Sequence, residues 1–590
     1  LAEKIGSSEK DIKQFLDDLD LEMDEYKDTY VSKGWDEFPD FYLGKTHWGE
    51  YRPTHKVSPI LNFLRQSIER RTSQMTDSKP FVDIFPYYDP LQDVADALIE
   101  ILKAKWAEQS LDMTITDIIF YAEMFGSSGV NTLYDKALRF GKGDTTMQCI
   151  DPRYLNFDPS VTASQYIDRG EYIRIEQILA TSSLKLAYDN DEIKADAPFE
   201  FIRERKRATA KGRTSRSVLK NIKKSAIDRS LVKEYWVQDR AKSRGKFKYP
   251  GGRHIIVAGG EIVIDEKNPY WDQRFPIDML DWHRNPDSAW GEGDIRDLAE
   301  LQRLLNKLVA IVVENGLLMT NAIWIGDSNA LDADEWEQLD NVPGLKVKKK
   351  PGSDLKREIV EPIPQTILQL IMYLEKAIDT IAGNSEVVRG SVPGEVKSGT
   401  AIEALQTAAL SLIRLKSRAV ESLLERVGQK WISRIFQFES DERNMFSFKS
   451  PEDFQKFKFT RDMLKGPSKF FKNKEEAWKN FLFKVRPGSS LSMTNWQKSL
   501  IAMQMYQAQP KPLLDRYAVL ETMDWPGRSD VLARLEAEEQ AQMQQMVAMQ
   551  QAMGATPPSG MKGGSAPKVS DINSPHATQG MREAQSKGVG

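Results

Sequence analysis

Cysteine is almost missing. Cys149 stands alone, which excludes an intrachain disulfide framework and a Cys-rich zinc site and fits a reducing compartment. Histidine is scarce too: His47, His55, His254, His283 and His576 are scattered, without metal-ligand spacing. Positive charge is not in excess, since 82 Lys and Arg face 86 Asp and Glu for a net charge of −4. Any nucleic-acid contact is therefore local. The opening residues are polar and acidic and do not read as a secretory signal. The most apolar long stretch, "LVAIVVENGLLMTNAIWIG" (308–326), is broken by Glu314, Asn315 and Asn321. It reads as a buried or bundled helix rather than a membrane span.

Catalytic signatures are missing as well. "RFGKGDTT" (139–146) has the pair Gly141–Lys142, but Gly143 follows where a phosphate loop needs Ser or Thr, and Lys136 stands in place of its first glycine. "WGEGD" (290–294) lacks the third glycine of a dinucleotide fingerprint. No G-x-S-x-G elbow and no H-E-x-x-H motif occurs. Asp281, Asp287 and Asp294 gather before a long helix, where helix-start charge and turn chemistry are the default reading ahead of a metal site.

What is present is pattern. At 590 residues the chain is long enough for several regions and a large core. "FLDDLDLEMDEYKD", "NFLRQSIERRTSQM" (62–75) and "VADALIEILKAKW" read as helices, and "PFVDIFPYYD" as an extended segment. "ITDIIFYAEMFGSSGVNTLYD" leads from helix through glycine into strand. Residues 145–290 alternate short strands with turn signals, which predicts a mixed α+β region. Within it, the Lys- and Arg-crowded 203–225 reads either as a phosphate-contacting patch or as a solvated loop.

From Asp294 the texture changes. A helix of about 28 residues, about 42 Å long, carries Ile295, Leu298, Leu301, Leu305, Leu308 and Val312 along one side. Residues 323–362 form an insert, with "IWIG" and "GLKVKKK" expected as strands and "DADEWEQLDN" as a short helix. A second helix (366–383) returns, so the chain makes a helical hairpin with a small module at its tip. A glycine-rich loop follows. Thr400 and Glu403 have capping-box spacing for a third long helix. Its expected apolar face includes Val420, Leu424, Val427, Trp431 and Ile435, and Gly428 is expected to permit a bend. Strand-like segments fill 443–490, and helices are expected near 494–508, 511–523 and 528–553. In the last, Met543, Met546, Met549 and Met553 recur at helical spacing, as packing more than as a groove. Residues 554–590 are expected to be disordered.

Several stretches together resemble the portal proteins of tailed bacteriophages. They are "GDIRDLAELQRLLNKLVAIVVENGLLMTNAIW" (293–324), "VVRGSVPGEVKSGTAIEALQTAALSLIRLKSRAVESLLERVG" (387–428) and "VRPGSSLSMTNWQKS" (485–499), with "NFLRQSIERRTSQMTDSKPFVDIFPYYD" and "CIDPRYLNFDPS" upstream. The resemblance covers roughly residues 55–540. It implies an α+β, multi-region portal fold: a long α-helical stem hairpin, a small α/β clip, a mixed α+β wing and a helical crown. On this chain it implies wing at 1–293 and 438–525, stem helices at 294–322 and 363–382, and clip at 323–362. It places a tunnel loop at 383–398, a long wing helix at 399–437, a crown helix at 526–553 and a tail at 554–590.

The resemblance further implies a homo-oligomeric ring, usually a dodecamer, at one capsid vertex of the virion, assembled in the host cytoplasm. Its channel would pass double-stranded DNA during packaging and ejection. Its partners would be the terminase large subunit, tail adaptor proteins, the major capsid protein and the scaffold, with no membrane, no cofactor, no metal and no catalytic residue. In the tunnel loop Arg389 and Lys397 either touch DNA phosphate weakly or are solvated or paired with neighbouring carboxylates. In the clip Lys346, Lys348, Lys349, Lys350, Lys356 and Arg357 form a basic edge. That edge faces DNA, an acidic motor or adaptor surface, or only water, as lysines that defend a strand edge do. A nuclease subunit using a carboxylate cluster, and a monomeric adaptor binding nucleic acid through 203–225, are the competing readings. The missing catalytic motifs weigh against the first. The apolar stripes an isolated hairpin would expose weigh against the second.

Overall fold

Apolar residues at helical spacing form α1 (Glu9–Tyr30), whose Ile12, Phe15, Leu16, Leu19 and Met23 are buried. The same periodicity forms α2 (Phe63–Thr76). After the short strand β1 (Val82–Pro86) come α3 (Gln92–Glu108) and α4 (Leu111–Phe125). The computed structural model describes residues 9–485 except 32–33, 49–55, 77–81, 197–227, 239–250, 322, 338, 340–345, 359–360, 384–410, 441, 451–452 and 472; beyond 485 it describes only isolated positions. The chain divides into a unit Leu1–Thr494 and a unit Asn495–Gly590. The basic segment 203–225, the Thr400–Glu403 cap, the loop with Arg389 and Lys397, the helices past 494 with their Met stripe, and the tail lie outside the described residues.

Helix α4 ends at Gly126, which takes a left-handed φ of +89° and returns its N–H to the Ala122 carbonyl. The chain then enters β2 (Ser127–Asp135), which pairs antiparallel with β3 (Asp144–Ile150). Further on, β4 (Leu155–Phe157), β5 (Tyr172–Ala180), β6 (Arg229–Val237), β7 (Arg253–Ala258) and β8 (Glu261–Lys267) form a five-stranded antiparallel meander in that order. Gly259 and Gly260, both at positive φ, make the two-residue turn between β7 and β8. The buried stripe of α1 packs across this sheet on Tyr172, Tyr235, Val237 and Ile255. Asp20 of α1 accepts from the Tyr235 hydroxyl at 2.8 Å and pairs with Arg174 and Lys233. Strand β9 (Ile277–Asp281) joins the other edge of β2, giving a three-stranded sheet β3-β2-β9.

The long helix α5 (Asp294–Thr320) follows. Strand β10 (Ile323–Gly326), a one-turn helix α6 (Ala333–Glu337) and strand β11 (Leu355–Glu358) build the module at its end. Helix α7 (Gln365–Ile381) returns, so the hairpin expected from the sequence is present. Helix α8 (Ser411–Phe438) then runs through the body, and β12 (Arg443–Ser450), β13 (Asp453–Phe459) and β14 (Phe481–Val485) follow, with β14 pairing β1. One core cluster joins α3, α4 and α8 to β14, and a second joins α2, α4, α5 and α7. Val420, Leu424, Val427, Trp431 and Ile435 of α8 are buried as expected.

One expectation is corrected, and one residue gains a further explanation. "GLKVKKK" does not supply the second strand of the tip module, because Lys346–Lys350 is irregular and Leu355–Glu358 pairs with β10 instead. The Pro351–Gly352 turn, with Gly352 at φ +82°, comes after the lysines, so pairing starts beyond it. Gly428 finds an explanation in packing. Helix α8 passes through it as one element, and a Cβ there would lie 2.5 Å from the Phe483 ring of β14.

Candidate docking module on a helical hairpin

Helix α5 is seated by polar side chains as well as apolar ones. Gln302 accepts from the N–H groups of Phe63 and Leu64 at 3.1 and 3.3 Å, satisfying N–H groups that the first turn of α2 leaves unpaired. Asn306 accepts from Leu61 N–H at 3.1 Å and lies 3.0 Å from His47 Nδ1. Burial lowers the His47 pKa, which fits a neutral ring. Ile295, Leu298 and Leu305 are buried along this part of the helix. Past Ala310 the support ends: Ile311, Leu317, Leu318 and Met319 are exposed, as are Leu368, Leu370, Met372 and Tyr373 of α7. The hairpin therefore projects from the body with uncovered apolar side chains on both helices.

At its tip β10 and β11 pair antiparallel, Trp324 opposite Arg357 and Ile325 opposite Lys356. Opposed residues share a face. One face carries Ile323, Ile325, Lys356 and Glu358, with the two isoleucines 56% and 55% exposed. The other face carries Trp324 and Leu355, and Gly326 there leaves room beside Leu355 and the Trp336 ring of α6. Asp327 and Asp354 lock the open ends together: Asp327 N–H donates to the Asp354 carbonyl at 3.0 Å, and Asp354 N–H to the Asp327 carboxylate at 2.8 Å.

All six basic residues expected at this edge are exposed, but most serve the module itself. Lys349 donates to the Ser353 carbonyl at 3.0 Å, Lys350 pairs with Asp332, Lys356 pairs with Asp354 at 2.6 Å, and Arg357 donates to the Thr320 carbonyl at 3.0 Å. The bond to Lys356 holds the Asp354 carboxyl below its usual range. Lys346 and Lys348 engage no partner among the described residues. Among the described residues, the module thus leaves Lys346, Lys348 and a two-isoleucine sheet face open to a ligand. The isoleucines were not singled out from sequence, although "IWIG", apolar on both faces of one strand, marks a face that something covers.

At the base, Arg71 of α2 ties both helices of the hairpin. It pairs with Asp294, the first residue of α5, and donates to the carbonyl of Ala382, just past α7. His283 Nε2 lies 2.6 Å from the other Asp294 oxygen, and the Trp282 indole N–H 3.4 Å from the first. Burial alone would raise the Asp294 pKa, but Arg71 and His283 outweigh it and hold it below the usual range. Asp294 is therefore committed to an ionic network. Asp281 instead accepts from Ser164, and Asp287 is exposed. Among the described residues no three His, Cys, Asp or Glu side chains are grouped to hold a metal ion, and no helix is long and apolar enough to cross a membrane. Gly291 and Gly293 of "WGEGD" are explained by packing, since a Cβ on either would strike the backbone at the end of α4.

The family model described as Phage P22-like portal protein matches residues 40–563. The chain belongs to the P22-like phage portal protein family. The match spans the hairpin, its tip and its base, and α1 precedes it. Portal proteins of this family are structural parts of the bacteriophage head–tail connector, act in genome packaging as oligomeric rings, and sit at a capsid vertex. No curated protein matches the chain.

Proposed function

We propose that copies of this portal chain close into a ring whose channel conducts double-stranded DNA during packaging and ejection. The observation that carries this reading is the apolar surface on both hairpin helices. A lone hairpin leaves it in water, whereas a neighbouring hairpin at each side covers it. On this reading α5 and α7 are the stem and 323–362 the clip. The body within 1–293 and 438–525, with the helix of 399–437, is the wing, facing capsid protein and scaffold, and 526–553 is the crown. The family's usual twelve copies would complete the ring.

The Ile323–Ile325 face, together with Lys346 and Lys348 of the same module, is the docking surface for the terminase large subunit and later for tail adaptors. Arg389 and Lys397, in the loop 383–398, are the light phosphate contacts of the channel. Phosphate contacts add affinity one by one and multiply around a ring, so a conduit keeps them few. Electron microscopy of the purified full chain tests the reading: rings with a central hole are expected, and dispersed monomers under all conditions overturn it. Replacing Arg389 and Lys397 with Glu tests the loop contact. Packaged DNA length or retention is expected to change, and unchanged values remove both residues from the channel's contacts.

A further inference from the structure

Two buried carboxylates face one guanidinium where the hairpin meets the body. Arg71 already joins Asp294 to the Ala382 carbonyl. Its remaining nitrogen, Nε, faces Glu123 Oε1 at 3.6 Å, beyond hydrogen-bond reach. Glu123, on α4, is fully buried. Its Oε2 accepts from Thr72 Oγ1 at 2.9 Å, while Oε1 has no hydrogen-bond partner among the described residues.

The groups around Glu123 come from four directions. Arg71 and Thr72 approach from α2, Asp294 from α5 and Lys416 from α8, with His283 behind Asp294 in the segment after β9. Lys416 is committed elsewhere: its amine donates to the Trp282 carbonyl and lies 3.1 Å from His283 Nδ1. Among the described residues, Arg71 is the cation within 4 Å of Glu123. Ionisation sets a second negative charge beside Asp294, and both carboxylates then draw on one rigid planar guanidinium.

We propose that Glu123 and Asp294 share Arg71 as a proton-operated clasp on the base of the hairpin. With Glu123 neutral, Arg71 closes on Asp294 and the Ala382 carbonyl. With Glu123 ionised, the guanidinium is drawn to it and the hairpin base loosens. The device belongs to the single chain and does not rest on the ring reading.

The sign follows from the carboxyl's surroundings. Burial, only partly offset by Arg71, raises the Glu123 pKa from the ordinary 4.5 to about 8. The closed clasp binds a proton that the open one releases. Opening is therefore favoured as pH rises towards about 8 and levels off above that. In that window its frequency grows by up to about tenfold per pH unit.

Hydrogen exchange on the full chain, corrected for chemical exchange, reads this at amides near Asp294 and near Ala382. Protection there is expected to fall several-fold between about pH 5.5 and about pH 7.5. Glu123→Gln, which holds the neutral form, should remove that dependence and keep protection high. Thr72→Val takes away the one hydrogen bond that favours the ionised form, so it should move the transition to higher pH. Wild-type protection that is flat with pH, a Glu123→Gln protein with the wild-type slope, or an unmoved Thr72→Val transition would each overturn the clasp.

Discussion

Gly428 illustrates how a single residue's role is set by a distant partner. In sequence it is a glycine inside a helix, and bending is the natural reading. Its neighbour is the Phe483 ring, placed by the β1–β14 pairing, which no local pattern announces. Gly428→Ala is expected to destabilise the body by about 1–3 kcal/mol through overpacking, seen as a lower Tm. Arg71 was equally hidden: in "ERRTSQ" nothing separates it from its neighbour Arg70. His254 gives a pH effect of known sign. Burial lowers its pKa, but Glu234 at 3.1 Å and Glu266 at 3.2 Å outweigh that and raise it. A raised histidine contributes stability in full below its free value of 6.5, lost as pH rises through the folded value. Denaturant unfolding should show stability declining with pH above about 6.5. In His254→Gln that decline should be smaller; an identical pH profile in the variant assigns it to other groups.

Among elements, the hairpin was largely legible because helical periodicity is a local signal. Its limits, the module at its tip and the apolar face of α8 all follow from spacing. The strand order inside the tip was not, because Lys346–Lys350 alternates like a strand while the turn after it decides where pairing begins. The basic edge likewise read as one patch, although ion pairing divides it. Charge reversal should separate the two kinds of residue. Lys346→Glu with Lys348→Glu is expected to weaken terminase binding and leave Tm unchanged. Lys350→Glu breaks a bond to Asp332 inside the tip module, so it should loosen the module itself, seen as faster hydrogen exchange across 327–354. Equal effects on binding from both changes would place the whole edge, not two residues, at the contact.

For the whole molecule, the mixed α+β character was readable from alternating helical and two-residue periods, and the family from the order of its motifs. On the ring reading proposed above, assembly is written in exposed surface rather than in motif. Leu317→Glu with Leu370→Glu should leave circular dichroism and Tm of the single chain unchanged and abolish large assemblies in analytical ultracentrifugation. Persisting assemblies would move the subunit contact off the hairpin. The unequal hairpin has a mechanical consequence. At 1.5 Å per residue the 27 residues of α5 span about 40 Å and the 17 of α7 about 25 Å. Both are fastened at one end by Arg71. The pair is a cantilever with its fulcrum at that arginine, and a tilt of about 5° there sweeps the far end through about 3.5 Å, about two helical rises.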